Sequence, residues 1–149
     1  IISMSQSVHA RLDELHLRSN AEATLTIREV EDPRQYGVAD IAESGEGEFE
    51  VEAVVEKPDQ PRSKFAIMPV YIFKPTIFEA LRRTTPGKGG ELQLTDAIQK
   101  LIDAGQRVQA IKLRADDVRL DIGTPETYWE ALQASYCDAL SKNTGRCTR

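Results

Sequence analysis

The chain has 149 residues, of which 40% are hydrophobic and 29% are charged, and its formal net charge is -5. This length predicts one domain, large enough to bury a core without disulfides or metals. The composition argues against disorder, and the lack of a basic patch argues against nucleic acid as a partner. We expect no secretory signal, and no membrane span because no apolar run approaches ~18 residues.

The chain has two cysteines, Cys137 and Cys147, and both lie near its C-terminal end. They form no pair or cluster of the kind that binds metal, so we expect two reduced thiols in a cytoplasmic protein. His9 and His16 fall on or near the first predicted helix. We expect exposed or half-buried packing of these histidines rather than metal binding.

The first half of the chain predicts one helix followed by strands. Apolar residues at helical spacing predict a helix over residues 7–19, with Ser7 as its cap. Alternating apolar and polar residues predict three strands, at residues 23–30, 36–42 and 48–56. The first strand should have one buried face, and the other two should form a hairpin. The nearly all-apolar residues 65–73 predict a buried strand, in which Pro69 requires an edge, a bulge or a bend.

The second half of the chain predicts helices and short strands in alternation. Pro75 opens a short helix, and Thr95 caps another helix that ends at Gly105. Strands follow at 108–113 and 118–122, and Thr124 begins a last helix. The predicted fold is therefore α/β, with a mixed β-sheet flanked by helices. We assign one domain to residues 1–141 and a flexible tail to residues 142–149.

The third predicted strand ends in an acid followed by a base, Glu56 and Lys57. At such a strand end they can face a ligand crevice, with Glu56 accepting hydrogen bonds from sugar hydroxyls and Lys57 meeting a phosphate. The alternative is a solvated ion pair before the turn that Pro58 marks. Taken without its neighbours, the pair favours this alternative.

A second candidate is Asp121, which precedes a glycine and the start of the last helix. Mg²⁺ prefers one or two such carboxylates together with phosphate oxygens, and a helix N-terminus favours phosphate. The equally weighted alternative is that Asp121 braces the turn. A third cluster runs from Lys88 to Asp96, and helix capping by Glu91 and Asp96 is its favoured interpretation.

In this order, the clusters resemble the second half of the nucleotidyltransferases that act on sugar-1-phosphates. The resemblance extends from about residue 21 to residue 136, and its matching stretches are residues 36–38, 54–58, 66–73, 90–98 and 121–125. It implies the C-terminal part of a Rossmann-like, nucleotide-diphospho-sugar transferase fold. The Gln-Leu-Thr-Asp sequence at residues 93–96 is most similar to uridylyl- and thymidylyltransferases that use glucose-1-phosphate.

The resemblance also implies a role for each site residue. Gly37 would let the backbone approach the sugar, Glu56 would bind its hydroxyls, and Tyr71 would line its pocket. Lys57 would bind the sugar phosphate, and Asp121 would be one of two aspartates that hold Mg²⁺. Lys57 and Asp121 are thus the expected catalytic residues, and the substrates would be a nucleoside triphosphate and a sugar-1-phosphate. We find no nucleophile and base pair, and the transfer requires none.

Two departures from the family pattern affect these expectations. Pro69 stands where many relatives carry glycine. The glycine-rich triphosphate loop and the other metal aspartate do not occur in the sequence, so we expect the chain to begin just after that aspartate and to be inactive by itself. The alternative is a non-catalytic module that binds sugar phosphate or assembles with itself. A sheet cut before its first strands would have an unpaired edge, so we expect a homo-oligomer or another pairing through that edge.

Overall fold

The computed structural model describes residues 2–3, 6–87, 90–115, 117, 119–120 and 122–144. The chain groups into two compact units, one formed by residues 9–113 and the other by residues 1–8 together with 114–149. Because one domain can contain more than one compact unit, the single domain over residues 1–141 stays a prediction.

The helices and strands follow the predicted order closely. In chain order they are β1 (Ile2–Ser3), α1 (Gln6–Ser19), β2 (Ala23–Glu29), β3 (Gly37–Gly45), β4 (Glu48–Glu56), β5 (Phe65–Phe73), α2 (Thr76–Arg82), α3 (Leu94–Asp103), β6 (Val108–Lys112), β7 (Arg119–Leu120) and α4 (Pro125–Thr144). The predicted hairpin is confirmed as β3 and β4, whose turn contains Gly47 at a φ of 71°. Glycine adopts this left-handed conformation without steric cost.

In the larger unit, five strands form a closed ring in the order β2-β5-β3-β4-β6, with β6 returning to β2. The pairing of β2 with β6 is parallel, and all other pairings in the ring are antiparallel. This confirms the predicted mixed sheet with flanking helices. The unpaired edge that we predicted is wrong for this sheet, because each of the five strands has hydrogen-bonded neighbours on both sides.

The strand β2 is buried on both faces, whereas its alternating sequence predicted one buried face. Leu25 and Ile27 belong to the main core cluster, with Ile98 and Leu101 of α3. Thr24 and Thr26 point the other way and are also fully buried. The polar hydroxyl of Thr26 is satisfied there, since it lies 3.1 Å from the backbone carbonyls of both Met68 and Val70.

A β-bulge accommodates Pro69 in β5. Leu25 pairs with Tyr71 while the next residue, Thr26, pairs with Met68, so Pro69 and Val70 have no opposite residue in the ladder with β2. Proline has no N–H to donate to the ladder, and a bulge is one of the places where a strand tolerates it. The predicted need for an edge, a bulge or a bend is therefore met by a bulge.

In the smaller unit, β1 pairs with β7 in antiparallel fashion, with Ile2 opposite Leu120. The helix α4 begins as predicted, because the hydroxyl oxygen of Thr124 accepts a hydrogen bond from the N–H of Thr127 at 3.3 Å. The helix continues to Thr144 and so includes residues 142–144 of the predicted tail. Residues 145–149 of that tail, with Cys147, lie outside the described residues. Within the described part of the chain, no helix has the length and apolarity to cross a membrane.

Candidate active site

The candidate site is built where β3 begins and β4 ends. Gly37 is the first residue of β3 and Glu56 the last of β4, and the two are direct partners in the antiparallel ladder. The predicted hairpin thus brings together two of the predicted site residues, although they are 19 positions apart in the sequence. Lys57 follows immediately, and its N–H donates to the carbonyl of Tyr36 at 3.0 Å.

The Glu56 carboxylate is held by a donor from another element. Its side chain is only 15% exposed, and its Oε2 accepts a hydrogen bond of 2.7 Å from the hydroxyl of Thr95 on α3. Its Oε1 lies 3.9 Å from the ammonium of Lys57, which is beyond hydrogen-bond range. A solvated ion pair, the alternative from the sequence, would leave both side chains in water, but here the acid is largely buried while Lys57 is 49% exposed.

Gly37 has a steric reason to be glycine in this arrangement. A Cβ at this position would lie 2.9 Å from Thr95 Oγ1 and 3.1 Å from Glu56 Oε2. These atoms form the hydrogen bond just described, so a side chain at residue 37 would push the two partners aside. The sequence predicted a close approach of the backbone to a sugar. The structure adds a close approach of the Thr95 and Glu56 side chains.

Lys57 has an unusual backbone conformation, with a φ of 41°. Residues with a Cβ adopt this left-handed region at a cost, and such conformations cluster at binding and catalytic sites. The strain lies where the chain leaves β4 and turns into the loop that Pro58 begins. Its consequence is to fix the direction in which the Lys57 side chain departs from the strand end.

Tyr71 lies on the same side of the sheet as Glu56. Its ring packs against the core cluster and lies 5.5 Å from the ring centroid of Phe73. Burial, and to a smaller extent the charge of Glu56, raises the pKa of the Tyr71 phenol above its usual value. The phenol therefore stays protonated at neutral pH and can donate a hydrogen bond toward a polar ligand.

Thr95 was predicted to cap α3, and this prediction is wrong. Gln93 is the N-cap residue, without a side-chain cap hydrogen bond, and Thr95 is the second residue of the helix. Its hydroxyl donates to Glu56 instead, and the residue is only 8% exposed. Sequence reasoning missed Thr95 as a site residue, although it lies inside the Gln-Leu-Thr-Asp stretch that carried part of the resemblance.

The loop before α3 is organised around glycines. The N–H of Gly87 donates to the Glu91 carbonyl at 2.9 Å, and Gly90 has a φ of 77°. A Cβ on Gly87 would lie 2.5 Å from the Asp96 carboxylate, so this loop passes directly over that side chain. Asp96 sits in the first turn of α3, where a negative charge is favourable. Lys88 and Gly89 lie outside the described residues.

Asp121 also lies outside the described residues, so its convergence with Lys57 stays a prediction. No group of three or more histidine, cysteine, aspartate or glutamate side chains suited to a metal ion occurs in the described parts of the chain. The Mg²⁺ site, predicted from two aspartates of which Asp121 is one, therefore stays a prediction.

Comparison with known families identifies the class of protein. A model of the nucleotidyl transferase family matches residues 6–136 of this chain. The match includes Gly37, Glu56, Lys57, Tyr71 and Thr95, and so covers the whole of the cluster described above. The chain belongs to the nucleotidyl transferase family, as the resemblance had indicated.

Individual proteins that this chain is similar to are nucleotidyltransferases and a pyrophosphorylase. Glucose-1-phosphate thymidylyltransferase of Streptomyces griseus is 44% identical over 89 residues, which is 60% of this chain and 24% of that protein. The low-salt glycan biosynthesis nucleotidyltransferase Agl11 of Haloferax volcanii is 35% identical over 123 residues, which is 83% of this chain and 33% of that protein. A solved UDP-glucose pyrophosphorylase complexed with UDP-glucose superposes with a TM-score of 0.78 at 33% identity, covering 90% of this chain and 52% of that one.

The chain thus spans a third or less of these two curated relatives and about half of the solved structure. The fold and the family follow from these matches. What the relatives act on is a property of those longer proteins.

Proposed function

We propose that this chain is the sugar-phosphate-binding portion of an enzyme that transfers a nucleotidyl group from a nucleoside triphosphate to a sugar-1-phosphate and releases pyrophosphate. The single observation that carries the proposal is the strand end at which Gly37 pairs with Glu56 and Lys57 follows directly. Glucose-1-phosphate is the proposed sugar phosphate, because the thymidylyltransferase relative is named for it and the solved pyrophosphorylase holds UDP-glucose.

The residue types suit this transfer. A phosphate oxygen of the sugar-1-phosphate attacks the α-phosphorus of the triphosphate, the bond to pyrophosphate breaks, and no covalent bond to the protein is needed. Catalysis then requires holding two anions in line against their mutual repulsion. The half-exposed Lys57 ammonium supplies a positive charge for the sugar phosphate. Glu56 and the protonated Tyr71 supply an acceptor and a donor for sugar hydroxyls.

Magnesium is part of the proposal, with Asp121 as one of its ligands. A hard cation bound by one or two carboxylates and by phosphate oxygens would neutralise charge on the reacting phosphates. The family resemblance assigns the second aspartate to a segment that this sequence does not contain. We propose the cytoplasm as the site of action, on the basis of the reduced thiols expected for this chain.

Binding of glucose-1-phosphate to the 149-residue chain tests the proposal directly. Isothermal titration should detect binding by the wild type, and Glu56→Gln should weaken it, because an amide is a poorer acceptor than a carboxylate. The matched control is Glu52→Gln, an exposed acid on the same strand, which should leave the affinity unchanged. A wild type that binds no glucose-1-phosphate at millimolar concentration would refute the proposed function.

Self-association is a second candidate, favoured by the surface of α4. Four large side chains of this helix are exposed, namely Tyr128, Trp129, Leu132 and Tyr136. Contiguous exposed apolar residues commonly mark interaction sites, and aromatic residues are enriched in interfaces. Light scattering should show an oligomer that Trp129→Glu dissociates and that Glu130→Gln, an exposed position on the opposite side of the same helix, leaves intact. A wild type that is monomeric at every concentration would eliminate this candidate.

A further inference from the structure

The hydroxyl of Thr95 donates a hydrogen bond to Glu56, although the position of Thr95 in the helix does not require this partner. A threonine in the first turn of a helix usually caps the helix or bonds to a nearby backbone group. Here the hydroxyl crosses to another element and donates to Glu56 Oε2 at 2.7 Å, across 39 positions of sequence. The residue is 8% exposed, so water does not compete freely for this hydrogen bond.

This hydrogen bond makes the two carboxylate oxygens of Glu56 unequal. Oε2 is engaged by Thr95 and lies beside the backbone of Gly37, where a Cβ would come within 3.1 Å of it. Oε1 faces the side of Lys57, 3.9 Å from its ammonium. A carboxylate with both oxygens available can accept from two neighbouring hydroxyls at once, whereas this carboxylate presents mainly one oxygen to a ligand.

We propose that Thr95 is a positioning and specificity-determining residue, which holds Glu56 so that Oε1 accepts from one particular hydroxyl of the sugar ring. The inference rests on the proposed function, since it assigns a role within the same sugar-phosphate site. Thr95 does not itself touch the substrate. It acts by fixing the carboxylate, and Gly37 leaves the room that the Thr95 and Glu56 pair occupies.

Isosteric and conservative variants separate positioning from packing. Thr95→Val replaces the hydroxyl with a methyl group of similar size and so removes the donor, whereas Thr95→Ser keeps the donor and removes a methyl group. Each variant and the wild type are titrated with glucose-1-phosphate and with its 2-, 3-, 4- and 6-deoxy analogues. Thermal unfolding of each variant is recorded in parallel.

We expect the wild type to discriminate most strongly against one deoxy analogue, the one that lacks the hydroxyl bound by Glu56. Thr95→Val should lower that discrimination about tenfold, the size expected when a charge-assisted hydrogen bond is lost. Its discrimination against the other analogues should stay as in the wild type. Thr95→Ser should restore the wild-type pattern, even where its melting temperature is lower.

The outcomes distinguish failure of the proposed function from failure of the role proposed for Thr95. A wild type that binds none of the sugar phosphates overturns the proposed function and the role of Thr95 with it. A wild type that binds, with a Thr95→Val variant that keeps the same pattern or weakens all analogues equally, overturns the positioning role alone. In that case Thr95 contributes only to packing, and the proposed function stands.

Discussion

Two substitutions of Lys57 can separate the cost of its left-handed backbone from the role of its side chain in binding phosphate. The two variants Lys57→Gly and Lys57→Ala both remove the ammonium and its 3.9 Å ion pair with Glu56, so that contribution cancels between them. They differ in the backbone alone. At a φ of 41°, alanine pays a steric cost of roughly 1–2 kcal/mol that glycine avoids, while the greater freedom of glycine in the unfolded chain returns about 0.5–1 kcal/mol.

Taking the middle of each range, Lys57→Gly should be more stable than Lys57→Ala by about 0.75 kcal/mol, which corresponds to about 1.5–3 °C in melting temperature for a chain of this size. Urea unfolding and thermal unfolding followed by circular dichroism measure this difference. Both variants should lose affinity for glucose-1-phosphate equally, because neither carries the positive charge. An alanine variant as stable as the glycine variant would refute the strain argument, and retained affinity in either variant would refute the role of Lys57 in binding phosphate.

Three further predictions follow from the site. Gly37→Ala should weaken glucose-1-phosphate binding at least about tenfold, because its Cβ would lie 2.9 Å from Thr95 Oγ1. The control variant Gly45→Ala, whose Cβ would meet only the Glu48 side chain, should bind normally. Equal titration curves for the two variants would contradict this prediction. Burial and the charge of Glu56 raise the pKa of Tyr71, so the stability that Tyr71 contributes should be present below its usual pKa and be lost as the pH rises through the raised value. Ultraviolet titration, with Tyr71→Phe to identify the Tyr71 signal, should show a lower pKa for Tyr71 in the Glu56→Gln variant. An unchanged pKa would exclude the contribution of Glu56. The purified chain should release no pyrophosphate from glucose-1-phosphate with UTP or dTTP, and release that Asp121→Ala abolishes would disprove this.

Local sequence patterns were sufficient for the elements that position the site. The turn residues between β3 and β4 fixed the hairpin, and the hairpin alone places Gly37 opposite Glu56. The proline in β5 correctly indicated an irregular strand. These features depend on interactions between residues that are close in sequence, or on the absence of an N–H, which a sequence displays directly.

The errors came from partners that lie far apart in the chain. Thr95 before a helical run satisfies the local rule for a cap, but a carboxylate 39 positions away is its actual partner. The strand β2 alternates like a half-exposed strand, yet its threonines are buried as well, and the hydroxyl of Thr24 lies 2.8 Å from Nδ1 of His16 on α1. Nothing about a lysine indicates a left-handed conformation, so the φ of Lys57 was not predictable either.

The bulge in β5 has a consequence for the orientation of Tyr71. Between the partners of Ile27 and Leu25, which are two residues apart in β2, the strand β5 advances four residues, from Ile67 to Tyr71. The surplus is an even number, so Ile67 and Tyr71 both remain on the core side. Deleting a single residue there would reverse the alternation and turn the phenol away from Glu56. The parity of the insertion, more than the identity of its residues, keeps the Tyr71 ring on the core side, where the charge of Glu56 acts on its phenol.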